Sequence, residues 1–335
     1  MTDTDEINLV KLNKRILITG VSGYVGSHVL DSLVRSGMDL SLISGVDNFS
    51  TSHKTNALEQ ISFHNVDLCN FSETVELIRI VEPDIVIHLA GNRFARRSNE
   101  FPFEVYSSNT IATINLCEAL RITNPKAFIV FSSSCSVYGN ANTVVVESHA
   151  LDPISPYGRS KVACENALLD FKESGGPVPV ILRYFNAAGY FPGGLPDQHR
   201  QGLLSNLVYH CRNKLDFPIY GTELDTRDGT CVRDYISVRD IARAHLYLIS
   251  QISERGSTDS EIYNLGTGNG STVLEIVNAF NMTLKQNVKV RDEPPSPMDP
   301  LNITADFSKF SKEFDWFAED DLETIVTSLK PLLTS

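Results

Sequence analysis

The sequence predicts an α/β fold, a doubly wound parallel sheet with a smaller mixed lobe towards the C-terminus. Three observations predict it: apolar runs alternating with stretches of helical period, a glycine-rich turn after the first run, and a change of texture after Asn186. Residues 15–19 (Arg-Ile-Leu-Ile-Thr) read as a buried parallel strand ending at Gly20. Val25, Val29, Leu30 and Leu33 then fall at helical spacing, so a helix follows the turn. Ser41–Val46 gives the next strand and ends at Asp47. Further strands are expected at Ile61–Val66, Asp84–Ala90, Ala127–Ser132 and Val178–Tyr184, and helices at Phe71–Val81, Phe103–Arg121 and Tyr157–Lys172. Gly189–Gly202, rich in Gly and Pro and poor in periodicity, reads as a mobile or ligand-shaped loop. Helical period returns at Leu203–Cys211, and the prolines from Pro294 to Pro300 break the C-terminal part. The expected division is a tail (1–13), a sheet domain (14–185) and a lobe (186–335), with about 232–265 returning to the sheet domain.

Composition bounds the function. A chain of 335 residues that is 42% hydrophobic can bury a large core, and 21% charged residues of mixed sign are too few for a disordered chain. Forty-one acids against 29 bases leave a net charge of -12, which argues against a nucleic-acid binder. It leaves room for one anionic ligand, because a helix N-terminus and single arginines bind phosphate locally. No run approaches the ~18 apolar residues of a membrane span, and the acidic start (Asp3, Asp5, Glu6) is not that of a secretory leader. Six cysteines without a C-x-x-C pair read as free thiols, not metal ligands. The compartment expected is the cytoplasm, with no metal and no membrane partner.

Gly20, Gly23 and Gly26 stand between the first strand and its helix. Glycine there allows a tight turn, close backbone approach to a pyrophosphate and helix–strand packing, while the helix end offers free N–H groups. The context makes this a Rossmann-type dinucleotide site. Asp47, at the end of the second strand, suits the hydroxyls of an adenosine ribose and would repel a 2′-phosphate, so NAD is expected over NADP. Asp67 and Leu68, after the third strand, are placed to flank the adenine.

Tyr157 and Lys161 are four apart, after Pro156, on one face of a predicted helix. An unperturbed tyrosine, with a pKa of about 10, is a poor base at neutral pH. A neighbouring ammonium and a positive nicotinamide would favour its phenolate, giving a general base beside a hydride acceptor. Ser134 ends the strand run, where a parallel sheet lines its ligand crevice, and can bond a substrate hydroxyl. No G-x-S-x-G elbow accompanies it, which removes a serine hydrolase.

Together these residues resemble the extended short-chain dehydrogenase/reductase family, and within it the nucleotide-sugar epimerases. The resemblance runs from about Arg15 to Trp316. It rests on Gly20–Gly26, Val46-Asp47-Asn48, His88-Leu89-Ala90-Gly91, Phe131–Gly139, Tyr157–Lys161, Leu182–Asn186, Asp228–Val238 and Tyr263–Gly266. It implies NAD-dependent epimerisation at C4 of a nucleotide-linked hexose of the UDP-glucose/UDP-galactose type, through a transient 4-keto sugar. Tyr157 would take the 4-hydroxyl proton, Ser134 would orient that hydroxyl, and Lys161 would also hold the nicotinamide ribose. Tyr24, Val25, Asn48, Leu89, Ala90, Gly91, Arg93, Ser132 and Tyr184 would complete the NAD site. Ser136, Asn186, Gln201, Arg233 and Asp299 would meet the sugar nucleotide, Arg233 at its diphosphate. The family also implies a homodimer through the helices at Phe103–Arg121 and Tyr157–Lys172, with Ile111, Leu116, Ala163 and Leu168 as compatible apolar residues.

The departures from the family pattern narrow the reading. Ser296 stands where epimerases usually carry a second diphosphate arginine, and the basic stretch Arg93, Arg96, Arg97 reads as a solvated loop or, alternatively, as a source of replacement charge. Dehydratases of the family need an Asp-Glu pair where this chain has Cys135 and Ser136, and decarboxylating relatives want a glutamate at Ser136. The alternatives that survive are another nucleotide-sugar oxidoreductase, which forms or reduces a keto sugar, and a non-catalytic NAD-binding sensor. Both Tyr157 and Lys161 are present, which speaks against the sensor.

Overall fold

Seven parallel strands make the central sheet of this computed structural model, which describes residues 7, 9–95, 97–255, 260–296 and 299–334. They are β1 (Ile16–Thr19), β2 (Ile43–Val46), β3 (Ser62–His64), β4 (Ile85–His88), β5 (Phe128–Ser134), β7 (Val178–Tyr184) and β11 (Glu261–Leu265). Their order across the sheet is β3-β2-β1-β4-β5-β7-β11. It reverses between β1 and β4, where Thr19 pairs with Val46 on one side and His88 on the other. That reversal opens a crevice at the strand C-termini. Ile16, Leu17 and Ile18 are fully buried. A strand covered on both faces needs no polar alternation, which is why β1 reads as an unbroken apolar run.

Helices α1 (Tyr24–Arg35) and α7 (Val238–Arg255) cover one face through Val29, Leu30, Leu33, Ile241 and Leu248. On the other face, α2 (Phe71–Val81), α4 (Ala112–Thr123) and α5 (Pro156–Glu173) contribute Val75, Ile78, Leu116, Leu120 and Leu168. Each fully buried leucine contributes about 1.5–3 kcal/mol. Leu116 and Leu168 therefore belong to the sheet packing and not to an outer surface, whereas Ile111 is 45% exposed. The helix expected over Phe103–Arg121 is interrupted. A short helix α3 (Pro102–Tyr106) runs into a π-helical turn at Ser107–Ile111 before α4 begins. The wider turn carries Asn109 inward, where its side chain bonds Asn92 and Ser160.

The smaller part mixes strand directions. β12 (Gly270–Thr272), β10 (Val232–Ser237), β14 (Asn302–Ala305) and β6 (Thr143–Val145) form one sheet, with β8 (Asn186–Ala188) beside β10. β9 (Phe217–Tyr220) pairs with β13 (Val290–Glu293). Helices α6 (Leu203–Arg212) and α8 (Val273–Leu284) pack here through Leu204, Leu207, Ile276 and Phe280. A capping box starts α8: Thr272 Oγ1 accepts from Glu275 N at 3.1 Å, and Glu275 accepts from Thr272 N at 2.9 Å. Among the described residues no helix is long and apolar enough to cross a membrane.

One buried network fastens α5 to the sheet. Arg183 on β7 donates to both carboxylate oxygens of Glu165 on α5, at 2.7 and 3.0 Å, with side chains only 3% and 2% exposed. Ser133 of β5 also bonds Glu165. Arg183 reaches Tyr138 Oη and the Glu147 carbonyl at 2.9 Å each, and Tyr138 donates to Asn264 of β11 at 2.6 Å. Burial alone would lower the Arg183 pKa, but the Glu165 carboxylate outweighs it and raises it. Removing one partner leaves a buried charge uncompensated. Glu165→Gln is therefore expected to lose about 3–5 kcal/mol of stability in urea unfolding; a loss under about 1 kcal/mol, the range of a surface pair, contradicts this role.

Candidate active site

The crevice is shaped first by the glycine turn. Gly20 has φ +67°, and a Cβ there would lie 2.7 Å from Ala90 N. A Cβ on Gly26 would overlap the Gly20 carbonyl, so α1 sits directly on the turn. No side chain caps α1 at Gly23, and its first turn carries no acid. The helix end keeps free N–H groups and its partial positive charge. Ser22 Oγ is buried in this turn without a hydrogen-bond partner among the described residues. Asp47 braces the turn: one oxygen accepts from Ser22 N at 3.0 Å, the other from Phe49 N at 2.9 Å and Ser52 Oγ at 3.0 Å. A carboxylate has about four acceptor sites, so one remains for a ligand.

A cavity runs from this turn along the strand ends. Gly20, Gly23, Tyr24, Val25, Gly26, Leu89, Gly91, Arg93, Ser132, Ser134, Ser136, Tyr157, Lys161, Tyr184, Asn186 and Gln201 all line it. Asp47, Asn48, Asp67, Leu68 and Ala90 do not; Thr51 and Ser52 take the place next to Asp47. Leu68 is 5% exposed and packs in the core, and Asp67 closes a local turn on Cys69 N at 2.9 Å. Ala90 N donates to Thr19 Oγ1 at 3.1 Å. Tyr184 Oη pairs with His245 Nε2 at 2.8 Å, which fixes its ring.

Ser155 caps α5 by accepting from Gly158 N at 3.0 Å, with Pro156 in the first turn. This starts the helix so that Tyr157 and Lys161 face the cavity. Lys161 Nζ donates to the Ser132 carbonyl at 2.7 Å and lies 5.9 Å from the centre of the Tyr157 ring. Burial pushes the Tyr157 phenol up to about 12, against the pull of the Ser134 hydroxyl and the Arg93 cation. Burial also lowers the Lys161 pKa. In the protein alone the Lys161 ammonium is turned to the Ser132 carbonyl, and Arg93 is a cation that pulls the phenol down.

A second cavity adjoins the first and shares Arg93, Ser136, Asn186 and Gln201 with it. Its far wall holds Arg233 and Asp299, joined at 3.5 Å, and Arg233 also donates to the Val232 carbonyl at 2.8 Å. Arg97 and Arg200 line it as well. Arg200 has φ +53° and stacks on the Tyr209 ring at 4.0 Å. Arg96, Pro297 and Met298 lie outside the described residues.

The sequence reading missed Asn109, Asp197 and Arg200, for which no local motif exists. Of the two readings of Gly189–Gly202, mobile or ligand-shaped, the second agrees with its place along the first cavity. This stretch is tied across α1: Tyr24 Oη donates to the Gly189 carbonyl at 2.7 Å, and Leu195 N donates to Ser27 Oγ at 2.8 Å. Its glycines allow the contact, since a Cβ on Gly194 would strike the His28 ring.

A family model described as the NAD dependent epimerase/dehydratase family matches residues 16–266. A UDP-glucose 4-epimerase of Bacillus subtilis (strain 168) is 34% identical over 320 residues, covering 92% of this chain and 93% of its own. The crystal structure of UDP-glucose 4-epimerase from Brucella ovis in complex with NAD superposes with a TM-score of 0.87 at 32% identity, over 95% of this chain and 98% of that one. The one from Bifidobacterium longum, in complex with NAD+ and UDP, gives 0.86 at 30% identity, over the same shares of the two chains.

The turn geometry makes a specific claim about Gly26. Gly26→Ala must force α1 off the turn, and overpacking of this kind costs about 1–3 kcal/mol. The expected outcome is a lower urea midpoint at unchanged slope; wild-type stability in that variant contradicts the close approach.

Proposed function

Because the chain belongs to the NAD dependent epimerase/dehydratase family, we propose that it inverts C4 of a UDP-linked hexose, interconverting UDP-glucose and UDP-galactose, with NAD held in the first cavity. The cradle fits the dinucleotide: an uncapped α1, a turn that only glycine permits, and an unpartnered buried Ser22 hydroxyl. Gly20, Gly23, Tyr24, Val25 and Gly26 would receive the pyrophosphate, and Asp47 and Asn48 the adenosine ribose. Asp67 and Leu68 would flank the adenine from outside the cavity lining. Leu89, Ala90, Gly91, Arg93, Ser132, Lys161 and Tyr184 would surround the nicotinamide half. When bound, NAD supplies a hydride acceptor and, in its oxidised form, a positive ring charge.

The observation that carries the reading is that Tyr157, Ser134 and Lys161 share one cavity with the glycine turn. Tyr157 Oη takes the proton of the sugar 4-hydroxyl, which Ser134 orients, and returns it to the same oxygen, as a redox-neutral inversion requires. Its burial raises the phenol, and the positive ring of bound NAD would pull it back towards the phenolate. Lys161 holds the ribose and keeps the Ser132 strand end in place. In the second cavity Ser136, Asn186, Gln201 and Asp299 position the sugar nucleotide, and Arg233 meets its diphosphate with a planar fork of donors.

Two broader assignments accompany this reading. The chain acts as a homodimer through the outer face of α3 to α4, where Phe103 is 77% exposed and Ile111 and Ile114 also reach solvent. The six free thiols suit a reducing compartment, the cytoplasm.

Incubation with UDP-glucose, followed by NMR of the C4 configuration, is expected to give UDP-galactose without stoichiometric NADH. NADH released in proportion to substrate would overturn inversion in favour of net oxidation. Tyr157→Phe is expected to keep bound NAD and to lose about 10²–10⁴-fold in kcat; near-wild-type turnover removes Tyr157 as the base.

A further inference from the structure

The strap at residues 189–202 crosses from β8 to α6 over the glycine-turn helix, and one carboxylate joins its two sides. The Asp197 side chain is only 5% exposed although it sits in a loop. One of its oxygens pairs with Arg93, which follows β4 at the crevice. The other accepts from Gly202 N and Ser205 Oγ, at 2.8 Å each, at the start of α6. The Arg93 guanidinium in turn lies 5.3 Å from the centre of the Tyr24 ring, whose hydroxyl holds the strap at Gly189. Burial would raise the Asp197 pKa, but Arg93 and the α6 donors outweigh it, so the carboxylate stays charged at neutral pH. Arg93 and Gly202 line both cavities.

We propose that Asp197 is a positioning residue that couples the two cavities: through Arg93 it keeps the strap closed over the dinucleotide, and through Gly202 and Ser205 it sets the α6 wall of the sugar-nucleotide cavity. This rests on the reading that the first cavity holds NAD. Cofactor retention and sugar-nucleotide binding then depend on one side chain.

The test is Asp197→Asn, which keeps the shape and removes the charge. NAD per subunit and its dissociation rate are measured in wild type and variant, with far-ultraviolet circular dichroism as the check on folding. The expected result is NAD release at least about tenfold faster, and, with NAD added back in excess, a KM for UDP-glucose raised about tenfold at a kcat within about twofold of wild type. Asp197→Glu is expected to recover part of the retention. The double variant Arg93→Gln/Asp197→Asn is expected to release NAD no faster than the faster single variant, because both act through one pair. A folded Asp197→Asn protein with wild-type retention and KM overturns the proposal. If the variant does not fold, hydrogen exchange in the wild type decides: the amides of Leu195 and Gly202 should be better protected with NAD than without it, and equal protection overturns the proposal. Wild-type protein that binds no NAD would instead overturn the functional reading beneath it.

Discussion

The buried pair between Arg183 and Glu165 is the constraint on which the site depends. Tyr157, Lys161 and Glu165 follow one another at intervals of four along α5, so they share a helix face. Fixing Glu165 against β7 and β5 therefore fixes the rotation of the helix and turns the other two side chains to the strand ends. Tyr138 and Asn264 extend the grip to β11, and Asn264 reaches on to the Val145 carbonyl of the smaller sheet at 2.9 Å. A network of this kind is costly to bury and costly to break. Its return is a single orientation for α5.

Low dielectric then sets the chemistry. The same burial that raises the Tyr157 phenol lowers the Lys161 ammonium, because each is pushed towards its neutral form. Asp197 goes the other way because it is surrounded by donors. The protein alone thus presents an unready base and a ready latch. The positive ring of a bound NAD would shift the phenol back towards its phenolate. The net charge of -12 is no obstacle, since Arg93, Lys161, Arg200 and Arg233 face the cavities and the acids that line them, Asp197 and Asp299, are each paired with an arginine.

What was legible in the sequence was local. The apolar run of β1, the three glycines, the Pro156 start of α5 and the four-residue spacing of Tyr157 and Lys161 each follow from short-range rules, and each stands where those rules put it. Arg93 and Asp197 are 104 residues apart, and their pairing exists only once the strap has crossed α1. Asn109 was hidden by a π-turn inside an otherwise regular helical pattern, and Arg200 by a backbone turn with no signature. The strap read as either mobile or ligand-shaped because glycine and proline mark loops generally. Here the glycines allow close packing on α1, which composition alone does not distinguish from freedom.

The central claim is that burial raises the Tyr157 phenol and that the positive ring of bound NAD would pull it back towards its phenolate. Titration of the Tyr157 phenol by ultraviolet difference spectroscopy, with Tyr157→Phe as the reference, tests it directly in NAD-free and NAD-loaded protein. The account predicts a pKa of about 12 without the cofactor and a value lower by about 1–3 pH units once the positive ring lies beside it. The same pKa in both forms would contradict it.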